Sequence, residues 1–313
     1  MNVRSGFRRF TAISTGFCLG LGGLVMSWVA GYRLPLVSGE TYIELAALDH
    51  AAYAGPQDDL VFIALIGSDY RPSVGGERGD ALHVLAINTK LNAGTMLNIP
   101  RDTCAKIPGY GTSKINNAHN EGGPKLQGEV LAELIGVPIK YAVSVDFAGF
   151  IAIVDGVGGV DVDVPKEMDD SDAGAYFSVG PHHMDGNHAL AYSRDRHDFG
   201  PGDITRSWNQ AHLILSAFKG LRTEYASPAK RIKLVSLLQR HSQMSGATLA
   251  DLVGLSQLAF DVDLAKVKSV TVGTTGGSCM EISSAGQGQL ADFADNGVLD
   301  SHATGTVDNP TGL

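Results

Sequence analysis

The 313-residue chain is 44% hydrophobic and 18% charged, enough apolar material for a substantial core, which excludes an intrinsically disordered protein. Its formal net charge is −9, and beyond Arg33 20 basic residues face 33 acidic ones, a net of −13. That body as a whole repels nucleic acid and anionic lipid, so any affinity for anions has to be local.

Residues 1–9 contain Arg4, Arg8 and Arg9 and no acid, and residues 10–32 contain no charged side chain. A run of that length is expected to cross a bilayer as an uncleaved helix, with the positive flank in the cytoplasm and the rest of the chain outside. A cleaved signal peptide ending near Ala30 is the rival reading. Residues 33–58 read as a linker, and residues 283–313, rich in Gly, Asp, Ala and Thr, as a mobile tail. Cys18 lies inside the apolar run, which leaves Cys104 and Cys279 to bond with each other in an oxidising compartment. Two buried free thiols are the plainer alternative.

The body, residues 59–282, opens with an unbroken apolar run of strand length, LVFIALI at 60–66. Two more follow, ALHVLAI at 81–87 and TMLNI at 95–99, joined by short loops that predict an antiparallel meander. In a meander the end of the first strand, the start of the second and the end of the third share one rim. That rim would collect Asp69, Asp80 and Arg101, with Arg71 and Arg78 in the loop beside them. Gly123 and Pro124 open an amphipathic helix over 126–135 closed by Gly136, and a strand follows at 141–145. Asp146 caps a further helix to Val154, and Gly156 to Gly159 turn the chain into the alternating VDVDV of 160–164. From Asp203 the pattern is helical, with Ile204, Trp208, Ala211, Leu215 and Phe218 on one side and Asp203, Arg206 and Gln210 on another. Two more helices at 230–241 and 249–260 and a strand at 267–272 complete an α/β body, a mixed sheet flanked by helices.

Arg194 and Arg196 are two apart and, in an extended segment, point the same way, with Arg206 and Gln210 a loop later. Adjacent guanidiniums repel unless an anion or carboxylates lie between them, so a phosphate or pyrophosphate competes here with a structural ion network through Asp195, Asp198 and Asp203. Asp69 and Asp80 on one rim suit Mg²⁺, which takes one or two protein carboxylates and completes its shell with water and phosphate oxygens. Asp161, Asp163, Asp169, Asp170 and Asp172 do not have EF-hand spacing and read as a solvated acidic loop. His182, His183, His188 and His197 lack zinc-site spacing and read as a polar loop. Hydrolase-elbow, Walker A and GxGxxG patterns are absent.

The blocks LIGSDYR, ERGDALHVLAIN, NIPRDTCAKIPGYGTSKINNAHNEGGP, VDFAGFIAIVDGVGGVDVDVP and MDGNHALAYSRDRHDFGPGDITRSWNQ, between about residues 60 and 220, resemble in order those of the LytR-CpsA-Psr proteins of Gram-positive envelopes. The resemblance implies a three-layer fold and a phosphotransferase that moves a glycopolymer from a polyprenyl-pyrophosphate carrier to peptidoglycan through a phosphodiester. It implies that Arg101, Arg194, Arg196, Arg206 and Gln210 hold the pyrophosphate with Arg78 close by, that Asp69 and Asp80 hold Mg²⁺, and that the lipid lies in an apolar tunnel between sheet and helices. Where the family often has Ser or Thr beside the aspartate of RSDT, this chain has Gly79 and Ala81 around Asp80. The Cys104 and Cys279 pair resembles a disulfide of actinobacterial members, which implies arabinogalactan or another surface glycan as cargo. For the proton of the attacking hydroxyl, Asp102, Asp195 and Asp203 are candidates of equal standing. A polyprenyl-pyrophosphate hydrolase and a non-catalytic polyprenyl-phosphate sensor are the alternative functions.

Overall fold

The computed structural model describes residues 43–48, 59–69, 77–196, 202–240 and 242–299. The apolar run 10–32, Arg71, His197 and Asp198 lie outside them, as does the Asp203 side chain. No helix among the described residues is long and apolar enough to cross a membrane.

The expected meander forms from β2 (Leu60–Ser68), β3 (Gly79–Asn88) and β4 (Ala93–Asn98), with Leu65 opposite His83 and His83 opposite Asn98. It lies within a mixed seven-stranded sheet. Beyond β2 come β7 (Ile139–Val145), β1 (Ile43–Ala47) and β12 (Ser242–Ser245), and β13 (Val267–Thr271) pairs in parallel with β4. The linker expected over 33–58 therefore contains a sheet strand. Its pattern IELAA buries Ile43 and Leu45, but five residues between undescribed flanks give little periodicity to read.

Side chains alternate across the sheet. Phe62, Ala64, Ile66, Leu82, Val84 and Ala86 face one way, against α1 (Asn117–Ile135). The first turns of α1 are separated from its main body by non-helical Gly122 and Gly123, and Pro124 restarts the helix at the place the sequence marks. The same side is completed by α7 (Ser284–Asn296), whose Phe293 is fully buried with its ring 5.4 Å from that of Phe62. Residues 284–296 are thus a packed helix and not part of a mobile tail. Burying one such aromatic is worth about 1.5–3 kcal/mol, which outweighs the weak helix propensity of a Gly-rich segment.

On the opposite face, Leu85, Ile87 and Met96 pack on Ala211 and Leu215 of α4 (Gly202–Glu224), and Leu45, Ile63 and Tyr141 on Leu255 and Leu258 of α6 (Leu249–Asp261). The helix α5 (Pro228–Arg240) lies between α4 and α6 in the chain. This makes three layers. A smaller apolar cluster joins β8 (Val160–Val164) and its partner β11 (Gly180–Met184) to α3 (Gly186–Arg194), with Tyr192 at its centre and Leu213 of α4 inserted. Because α4 is wedged between this cluster and the sheet, Thr205, Arg206, Ser207, Asn209 and His212 are buried along with its apolar side. The one-sided apolar stripe read from the sequence is too narrow. Cys104 and Cys279 form the expected disulfide across a sequence separation of 175 residues.

Candidate functional site

Between the sheet and the helices lies a cavity of about 920 Å³. Its floor is the sheet face carrying Leu65, Gly67, Ala81, His83, Val143 and Val145. Its walls are Phe147, Phe150 and Ile153 of α2 (Phe147–Gly156), Leu190 and Arg194 of α3, and Arg206, Gln210, Ile214 and Phe218 of α4. Asp146 orients α2 as expected, accepting the Gly149 N–H at 2.7 Å.

Asp80 reaches this cavity through a break in strand register. Gly67 pairs with Ala81 but Ser68 pairs with Gly79, so Asp80 is the extra residue of a β-bulge. Strict alternation would put its side chain on the face away from Ala81 and His83, and the bulge re-aims it. Gly67 makes the close pairing possible, since a Cβ there would lie 2.8 Å from that of Ala81. The Asp80 carboxylate accepts from Arg101 Nη1 at 2.5 Å and from Asn116 Nδ2 at 3.2 Å, and its main-chain carbonyl accepts from Arg206 Nη2 at 3.2 Å.

Arg194 is the last residue of α3, where a cation complements the helix dipole, and its guanidinium lies 5.5 Å from the Phe147 ring centroid. The segment before Arg196 is thus helical and not extended. The chain becomes extended only at Asp195, which carries Arg196 to the cavity as well. The cue in the sequence was Asp185, whose side chain caps α3 by accepting the His188 N–H at 2.9 Å.

Arg101, Arg194, Arg196, Arg206, Gln210 and Asp80 therefore line one cavity. Asp69 and Arg78 do not. Asp69 follows β2 directly and accepts the Arg78 N–H at 2.9 Å, while the Arg78 side chain is exposed. Of the proton-acceptor candidates, Asp102 pairs with Lys114 at 3.1 Å, and Asp195 is fully buried and accepts from Asn209 Nδ2 at 3.1 Å. Neither lines the cavity. Conversely, the loop read as solvated supplies Asp170 and Asp172 to the lining. Asp170 is only 3% exposed and accepts the N–H groups of Asp172 and Ala173, and that of Arg196 at 3.1 Å. That role depends on a turn closing over 26 residues, which spacing does not reveal.

Sequence reasoning also passed over His83 and Asn116. His83 is the single ionisable group in the otherwise apolar run of β3, and a buried polar residue is the informative exception in such a strand. Burial holds its imidazole down to about 4, with a smaller push in the same direction from the Arg206 charge, against the Asn98 and Gln210 side chains, which act to raise it.

No three His, Cys, Asp or Glu side chains cluster as a metal cage among the described residues. Zinc is poorly served by such a site. A hard cation takes one or two carboxylates and completes its shell with water and ligand oxygens. Asp80 lines the cavity with its carboxylate held by Arg101 and Asn116, whereas Asp69 lies at the adjoining strand end outside the lining.

The molecule is thus a three-layer α/β protein with a cavity lined by four arginines, four aspartates and a set of apolar side chains. It matches the LytR_cpsA_psr family over residues 39–292 and belongs to that family. It is 38% identical over 160 residues to a polyisoprenyl-teichoic acid--peptidoglycan teichoic acid transferase TagU of Bacillus mycoides, 51% of this chain and 52% of that protein. The chain spans about half the length of the curated relatives it matches. The crystal structure of B. subtilis TagV superposes with a TM-score of 0.61 at 26% identity, covering 74% of this chain and 94% of that one. TagT with bound octaprenyl pyrophosphate lipid superposes with a TM-score of 0.57 at 20% identity, covering 85% and 99%.

Proposed function

We propose that the protein is an extracytoplasmic phosphotransferase that takes a glycopolymer from a polyprenyl-pyrophosphate carrier and joins it to peptidoglycan through a phosphodiester. The observation that carries this reading is the convergence of Arg101, Arg194, Arg196 and Arg206 on one cavity that is also lined by Asp80, Asp146, Asp170 and Asp172 and by apolar side chains including Leu65, Val143, Phe150, Ile214 and Phe218. Guanidiniums suit phosphate oxygens through their planar fork of donors, and an isoprenoid chain gains by leaving water for apolar walls. One ligand with both properties is a prenyl diphosphate. The names of TagU and of TagT with its bound lipid support the same assignment.

In the reaction an acceptor sugar hydroxyl forms a bond to the phosphorus bearing the glycan, the bridging P–O bond breaks, and polyprenyl phosphate leaves with the electron pair, the hydroxyl proton passing to the departing phosphate directly or through water. The arginines stabilise the charge that builds on the phosphate oxygens and on the leaving group. Asp80, held by Arg101 and Asn116, fixes the position of Arg101 in turn. Mg²⁺ held by Asp80 and Asp69 would add charge neutralisation at the diphosphate. Residues 10–32 anchor the protein in the membrane with the catalytic body outside.

The test is incubation of the purified chain, in detergent and with Mg²⁺, with a synthetic lipid-linked glycan and peptidoglycan fragments. The expected product is a fragment carrying the glycan phosphate. Free glycan phosphate alone would indicate a hydrolase, and unchanged donor a sensor.

A further inference from the structure

Among the polar groups of the cavity that the transfer reaction as written does not use, one lies on its floor. His83, 2% exposed, sits on the floor two residues inward from Ala81, between the arginines of the mouth and the apolar interior. Its tautomer is set from behind. Asn98 donates through Nδ2 to Ser269 Oγ at 3.0 Å and to Thr271 Oγ1 at 3.4 Å, which leaves Asn98 Oδ1 to accept the Nδ1 proton of His83 at 2.8 Å. Nε2 is therefore the bare nitrogen. It is buried and makes no hydrogen bond of good geometry, although the Gln210 side chain lies close enough to act on the ring's titration. An unpartnered lone pair beside a ligand cavity is a group that a ligand can satisfy.

We propose that His83 is a proton-linked binding residue: Nε2 takes up a proton when a diphosphate occupies the arginines, adding a fifth positive group to Arg101, Arg194, Arg196 and Arg206 and donating to a phosphate oxygen. This rests on the diphosphate reading of the cavity. The charged groups around the ring favour the change. Burial keeps the ring neutral, and Arg206, facing it from α4, adds a smaller push the same way. Asp80 lies toward the mouth on the same strand, paired with Arg101, and the neighbours Leu65 on β2, Asn98 on β4 and Ser269 and Thr271 on β13 carry no charge. Arg194, Arg196, Asp146, Asp170 and Asp172 are the other charged side chains of the lining. A diphosphate brings two or more negative charges, and one such charge about 5 Å from an imidazole, at an effective dielectric of about 20, moves its titration upward by roughly two pH units. Two charges are enough to carry a group that titrates near 4 through neutrality.

The experiment is calorimetric titration of the full chain in non-ionic detergent with geranyl pyrophosphate at pH 7, in two buffers of different ionisation enthalpy, for the wild type and His83→Gln. The wild type should take up about one proton more per bound ligand than the variant. Equal proton counts with binding in both overturns this inference and leaves the diphosphate reading standing, whereas no binding by the wild type removes both. Should His83→Gln fail to fold, ¹⁵N-histidine spectra of the wild type decide. Nε2 of His83 should move from the bare to the protonated position on adding geranyl pyrophosphate, and an unmoved resonance at saturation overturns the inference.

Discussion

Arg206 on α4 donates from Nη2 to the main-chain carbonyl of Asp80, 126 residues earlier in the chain, at 3.2 Å. This contact ties the helix that carries Arg206 and Gln210 to the bulge that aims Asp80, so the two halves of the cationic mouth are fixed to each other. Arg206 is 7% exposed and both holds the bulge and lines the cavity, whereas Arg194 rests on the Phe147 ring at the end of α3. Replacing either by alanine should lower transfer from a lipid-linked donor by about 10²–10³-fold, the usual cost of losing a donor aimed at developing charge. Only Arg206→Ala should also lower the melting temperature by several degrees. Thermal melts and turnover on the same preparations separate the two effects.

The acidic candidates for proton transfer divide differently. Asp102→Asn should retain most of the activity, because its carboxylate pairs with Lys114 outside the cavity. Asp195→Asn should act through stability, since it disturbs a fully buried carboxylate held by Asn209 next to Arg196. A wild-type melting curve combined with a large loss of turnover in Asp195→Asn would contradict this assignment.

The apolar interior can be tested apart from the mouth. Val143 lines the floor on β7, and Val143→Phe adds a ring where the isoprenoid chain would lie. Farnesyl pyrophosphate should bind about tenfold or more weakly, while inorganic pyrophosphate, which needs only the arginines, should bind within about twofold of the wild type, on a scale where tenfold is about 1.4 kcal/mol. Equal weakening of both ligands would mean that the mouth and the interior are not separate subsites.

His83 also makes stability depend on pH. The folded protein keeps its imidazole neutral down to about 4, whereas the unfolded chain protonates it near the ordinary 6.5. Between those values the unfolded chain binds more protons, so stability falls as pH falls, by about 3 kcal/mol across the window. Urea unfolding at pH 7 and pH 4 should show this loss in the wild type and a smaller one in His83→Gln. Parallel losses would contradict the buried neutral histidine.

Much of the mouth was legible because it follows from strand ends. Three apolar runs with short loops place Asp80 and Arg101 on one rim wherever a meander forms, and Arg206 and Gln210 share a helix face by their spacing. What the sequence hides is what alternation or distance decides. The re-aiming of Asp80 depends on a one-residue bulge, and the helical end at Arg194 on a cap at Asp185 nine residues earlier. The approach of Asp170 depends on a hairpin folding back, and the packing of 284–296 on a single phenylalanine meeting Phe62. The apolar tunnel implied by the family resemblance has no linear signature, because its lining comes from three strands and three helices and each segment reads as ordinary core.

The most direct test of the central claim is mass spectrometry of peptidoglycan fragments after incubation of the full chain with a lipid-linked glycan donor and Mg²⁺, beside the Arg194→Ala variant. The account predicts a phosphodiester-linked glycan on the fragments with the wild type, formed at least about a hundredfold more slowly by the variant. Fragments without glycan in the presence of consumed donor, or equal yields from both proteins, would contradict it.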